Sequence, residues 1–140
     1  MTVRINWAGG VLAAAAMVLS HAASADVKRE STFPQAFWGS WAPLTEDCDT
    51  AGKSLITLSG KRYVNQDATC NVVWVSETAG ARGTNYAAHM QCPSTTDPTQ
   101  MTVSDIVLIH NTRDQLSLGA DFDSLKTYQR CPEKASGSQQ

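Results

Sequence analysis

The chain has 140 residues, of which 42% are hydrophobic and 17% charged, with a net charge of −2 at pH 7. That balance supplies neither the cationic surplus that neutralises a phosphate backbone nor a polybasic run suited to an anionic membrane, so nucleic acid is excluded as a partner class. A chain of this length supports one compact core and is too short for two.

Residues 1–25 read as an export signal. Arg4 gives a basic start, residues 8–19 form an unbroken apolar run, and Ala22, Ala23, Ser24 and Ala25 precede Asp26 in the small-residue pattern of a cleavage site. The run is shorter than the roughly 20 residues of a permanent membrane anchor. The remainder offers no second span and no lipidation cysteine follows the cleavage site, so the expected product is a periplasmic or secreted protein starting at Asp26. Only Arg4 among the charged residues leaves with the signal, taking the net charge from −2 to −3.

Residues 26–32 are polar and read as a flexible linker, followed by a single domain over 33–132 and a disordered tail over 133–140. The aromatic string Phe33, Phe37, Trp38, Trp41 opens the domain. Pro34 suits the first turn of a helix and Gly39 its end, so a short helical turn is predicted whose aromatics plug one end of the core. A sugar-binding aromatic platform is the alternative use of the same residues. Strand-like segments then recur at 54–59, 61–65, 70–77, 85–92, 101–109, 115–118 and 125–131, separated by Gly60, Gly80, Gly83, Pro93, Pro98, Asn111 and Gly119. About seven short strands between such turn signals predict an all-β fold, a small antiparallel barrel or sandwich.

The four cysteines, Cys48, Cys70, Cys92 and Cys131, all lie beyond the signal, and an even count in an exported small domain reads as two disulfides. Neither a zinc spacing nor a Cys-x-x-Cys redox pair is present. Placing Cys70 opposite Cys92 in a hairpin makes Val72 face Met90 and Trp74 face Ala88. The inward set is then Cys70, Val72, Trp74, Ala88, Met90 and Cys92, and the outward set Asn71, Val73, Val75, Ala87, His89 and Gln91. Two connectivities fit: Cys70–Cys92 with Cys48–Cys131, or Cys48–Cys70 with Cys92–Cys131. The second is favoured, on the argument that a bridge across paired strands adds little constraint.

Catalytic patterns are sparse. His89 and His110 lack the Gly-x-Ser-x-Gly elbow of a serine hydrolase, and His110 with Asn111, Thr112, Arg113 and Asp114 reads as a turn. Glu46, Asp47, Asp49, Asp121 and Asp123 read as solvated loop carboxylates rather than a glycosidase pair. The string from Asp47 to Gly52 starts like a calcium loop but has Ala51 and Leu58 where ligands belong. No metal or cofactor is expected, and a small enzyme is the least supported function class.

Two resemblances are present, the first bearing on function and the second on compartment and fold. Ser59-Gly60-Lys61-Arg62-Tyr63 resembles the Ser-Gly-x-x-Tyr motif of bacterial C-type lysozyme inhibitors, small exported β-barrels whose serine loop enters the lysozyme cleft. The later aromatic of that family is followed by Lys-Gly, whereas Trp74 is followed by Val75, Ser76 and Glu77. More broadly, the order Phe37-x-Gly39-x-Trp41-Ala42, Cys48, Cys70, Cys92, Leu116-x-Leu118 and Tyr128-x-Arg130-Cys131-Pro132 is similar to small exported four-cysteine proteins of α-proteobacteria. Export, a disulfide-stapled β-domain, two exposed loops and the absence of a catalytic set, together with the likeness of the 59–63 string, lead to the expectation of a non-enzymatic binding protein, an inhibitor of lysozyme or another cell-wall hydrolase, with a protein partner. Ser59, Gly60, Lys61, Arg62, Tyr63 and Arg82 are its candidate contacts, the loops around Gly60 and around Arg82 both entering a cleft. The alternative is an envelope structural or stress protein that binds peptidoglycan, an envelope protein or a host surface through Phe37, Trp38 and Trp41.

Overall fold

Strict alternation of buried and exposed residues runs through Ile56–Ser59 and the start of Thr69–Gly80, the signature of strands with one face on a core. Nine strands form in a computed structural model that describes residues 27–133. The expected signal segment, and all of the expected tail except Glu133, lie outside the described residues. The strands are β1 (Lys28–Glu30), β2 (Gly39–Pro43), β3 (Ile56–Ser59), β4 (Arg62–Val64), β5 (Thr69–Gly80), β6 (Gly83–Pro93), β7 (Met101–Thr112), β8 (Gln115–Gly119) and β9 (Lys126–Arg130). Seven of them fall where the turn signals place strands.

All pairings are antiparallel, and the order β5-β4-β3-β2-β9-β8-β7-β6 closes through a β5–β6 pairing into an eight-stranded barrel. β1 is the extra strand. It pairs with the far half of β5, where Glu30 meets Val75 and Lys28 meets Glu77, beyond the point at which β4 ends against Asn71. Residues 28–30 are therefore part of the sheet and not the flexible linker expected over 26–32, because the long β5 leaves its edge open past β4 and an unpaired edge recruits a strand.

Eight strands enclose just enough room for side chains, and here the interior is filled. Trp41, Leu58, Met90, Leu108 and Leu116 are fully buried and pack with Phe33, Phe37, Ile56, Val72, Val75 and Ile106 into one cluster. The predicted helical turn is a single 3-10 turn at Gln35–Phe37. Its Phe37 enters the barrel end edge-on to Tyr86, at 4.9 Å between ring centroids, so Phe33, Phe37 and Trp41 do plug the core, whereas Trp38 stays exposed. No α-helix occurs among the described residues, and none of their helices is long and apolar enough to cross a membrane.

The disulfides are Cys48–Cys131 and Cys70–Cys92, the connectivity opposite to the favoured one. Directly opposed positions on β5 and β6 bring Cys70 and Cys92 to 4.2 Å between Cα atoms. Cys48, in the β2–β3 connection, reaches Cys131, whose amide donates to Ser40 O at the end of β9. A cross-strand bridge is not made redundant by the folded ladder, because it acts mainly by restricting the unfolded chain.

The β5–β6 register also departs from expectation. Val72 faces Met90 as predicted, but Trp74 faces His89 and Val75 faces Ala88, with a β-bulge at Val73. The bridged end and the two-residue turn between Gly80 and Gly83 demand registers that differ by one residue, and the bulge absorbs the difference. Gly83 makes that turn possible, since its φ of +119° is open to glycine and strained for other residues. The consequence is an exchange of faces, with Val75 buried and Trp74 outside.

Three tyrosines rim the core. Burial pushes the Tyr63, Tyr86 and Tyr128 phenols above the ordinary 10.0. Because the folded state disfavours the phenolate, this part of the stability is complete below about pH 10 and is lost as pH rises through the raised values. Denaturant midpoints should therefore hold from about pH 8 to about pH 10 and fall above it, and Tyr63→Phe should lessen that fall. An unchanged slope in the variant would assign the loss elsewhere.

Candidate functional site

The 59–63 string forms the tight turn between β3 and β4. Ser59 pairs with Arg62 and Leu58 with Tyr63, so Leu58 and Tyr63 point into the core while Ser59, Lys61 and Arg62 are exposed. Tyr63 is buried and its hydroxyl accepts from Asn65 Nδ2 at 3.3 Å, which makes it a support for the turn and removes it from the contact surface. The exposed members are thus one hydroxyl and two cations on a two-residue corner.

That corner is held from three directions. The Phe33 amide donates to Gly60 O at 2.8 Å and the Val72 amide to Lys61 O at 2.9 Å. Trp38 lies against Gly60, where a Cβ would come within 3.3 Å of the indole, and the indole Nε1 donates to Phe33 O at 3.0 Å. A loop fixed in this way loses little conformational entropy when a partner closes on it.

Behind Trp38 stands a second support. Arg130 donates from Nη1 to Trp38 O and from Nη2 to Ala36 O, both at 2.6 Å, and from Nε to Arg113 O at 3.1 Å. Its guanidinium lies 4.2 Å from the Trp41 ring centre, and Gly39, at φ +129°, leaves room for Nη1 where a Cβ would stand 3.1 Å away. Phe37-x-Gly39-x-Trp41 and Tyr128-x-Arg130-Cys131 are thereby one structural latch, with Arg130 filling carbonyls that the 3-10 turn leaves open.

Arg82 does not join the 59–63 turn. It occupies the Gly80–Gly83 turn, eight residues along β5 beyond Val72, or roughly 26 Å at a strand's rise per residue. The expectation of two loops entering one cleft is corrected accordingly: the long β5–β6 hairpin carries Arg82 away.

The bulge creates a cluster that the sequence reading missed. Trp74 stacks on His89 at 5.0 Å and 9° between ring planes, and Arg29 lies 4.5 Å from the Trp74 ring centre. His89 Nδ1 donates to Asp105 Oδ1 at 2.7 Å. Because β1 and β6 flank β5, Arg29 and His89 cover the indole from either side. The mismatch between the register set by Cys70 and Cys92 and that set by Gly80 and Gly83 was the available signal. His110 lies within β7, edge-on to Phe37 at 5.5 Å, and the hairpin turn follows at Arg113 and Asp114.

No group of three or more potential metal ligands occurs among the described residues. Comparison with protein-family models, with curated proteins and with solved structures finds no match to this chain.

Proposed function

We propose that this protein is an exported, non-enzymatic binding protein that inhibits a lysozyme-like or other cell-wall hydrolase through the β3–β4 turn. The observation that carries the reading is the braced corner itself: Ser59, Lys61 and Arg62 stand exposed on a two-residue turn fixed by the Phe33 and Val72 amides and by Trp38. A rigid corner bearing two cations complements a cleft whose chemistry depends on two carboxylates, since charge-assisted hydrogen bonds form there without prior ordering of the loop. The filled barrel supports the same reading by directing recognition to the outer surface. Two disulfides fit an oxidising compartment, where such a hydrolase would be met.

Muramidase activity titrated with the oxidised protein is expected to fall saturably. Lys61→Glu with Arg62→Glu should weaken inhibition about tenfold or more without moving the unfolding midpoint, because both side chains are exposed. Ser59→Ala should weaken it less. Full hydrolase activity at saturating protein, or equal inhibition by the charge-reversed variant, overturns the assignment.

A further inference from the structure

We infer that the groove beside Trp38 is a binding site for a neutral pyranose oligosaccharide, separate from the proposed protein contact. The groove, of about 390 Å³, opens at the barrel end between β1, the 32–38 segment and the β5–β6 hairpin, and Trp38, Tyr86, Glu30, Glu77, Gln35 and Lys28 line it. Its volume falls within the range of small-molecule sites.

Trp38 is 42% exposed although Phe33, Phe37 and Trp41 around it are buried to 1% or less. Its pose is nonetheless fixed by Gly60 on one side and by the Nε1 bond to Phe33 O. A fixed, solvent-facing indole offers the negative face of its ring, to which the weakly positive C–H face of a pyranose is complementary. Little side-chain entropy is lost when the sugar settles on it.

The polar lining matches hydroxyl groups. Glu30 and Glu77 can only accept when ionised, and sugar hydroxyls are donors; Gln35 both donates and accepts. Burial, with the Glu77 charge adding to it, keeps the Tyr86 phenol protonated and available as a donor. Lys28 Nζ fixes Glu30 Oε1 at 2.9 Å. Two carboxylates against one ammonium leave the groove negative, which disfavours uronic or sialic acids and selects neutral rings.

Calorimetric titration of the oxidised chain with chitotetraose, cellotetraose and tetragalacturonate tests the site. Saturable binding of at least one neutral tetrasaccharide is expected, with the anionic one weaker. Trp38→Ala should lower the affinity about tenfold or more and Glu77→Gln severalfold. Lys61→Ala with Arg62→Ala should leave it unchanged, so that this site and the turn fail or stand separately. Absence of millimolar or tighter binding by either neutral sugar overturns the inference, as does preference for the anionic sugar. A folded Trp38→Ala that binds like the parent also overturns it. Should that variant not fold, parental affinity in Glu77→Gln has the same force.

Discussion

Replacing Cys48 and Cys131 together by alanine is expected to lower the unfolding free energy by about 4.5 kcal/mol, and replacing Cys70 and Cys92 by about 3.4 kcal/mol. The bridges span 83 and 22 residues of sequence, and the cost follows the loop each removes from the unfolded chain. With total stability of a small domain at about 5–15 kcal/mol, loss of the longer bridge takes the protein close to the point at which it no longer folds. The first bridge also ties the β2–β3 connection to the end of β9, whose Arg130 holds the corner beneath Trp38. Its loss should therefore weaken hydrolase inhibition more than loss of the β5–β6 bridge does. Guanidinium unfolding of the two pairs, with inhibition measured on each, gives the comparison; the reverse order of stabilities would show that native strain or residual structure outweighs loop length.

Trp41→Ala is expected to destabilise the protein by about 3–5 kcal/mol, the usual range for deleting a fully buried large aromatic. Trp41 has no exposed surface, and the deletion also removes the Nε1 donor to Phe37 O at 2.9 Å. Arg130→Ala should cost about 2–3 kcal/mol through the carbonyls it leaves without a charged donor. Because the guanidinium rests on the Trp41 ring, the double variant should lose less than the two single losses together. Simple additivity in chemical denaturation would mean that ring and guanidinium stabilise the latch independently. Arg130→Lys should recover little, since one ammonium cannot serve three carbonyls with fixed directions.

Much of the fold is legible in the residues because alternation and turn chemistry are local. β3 to β9 all lie between glycine, proline or asparagine punctuation that can be read without knowing their neighbours. β1 and β2 are not legible in that way. Lys28, Arg29 and Glu30 carry no strand pattern and pair only because β5 outruns β4, a tertiary circumstance. β2 begins at Gly39, which reads equally well as the end of a helical turn. The face exchange at Val73 was recoverable in principle, since two local constraints on one hairpin disagreed by a single residue. Of the candidate contacts, Ser59, Lys61 and Arg62 lie on one corner because adjacency in sequence placed them there. Arg82 does not, because its distance from them depends on the length of β5, and Tyr63 faces inward by the same alternation that exposes Arg62.

Closure of the barrel pairs most of its peptide groups, and β1 is one place where, among the described residues, the wall remains open on one side. That margin is three residues long and every side chain on it is charged and exposed. Lys28 and Glu30 stand on one face and Arg29 on the other, so an incoming strand meets charge whichever way it turns and gains few hydrogen bonds in return. The same small element that completes the sheet therefore limits its growth along that margin.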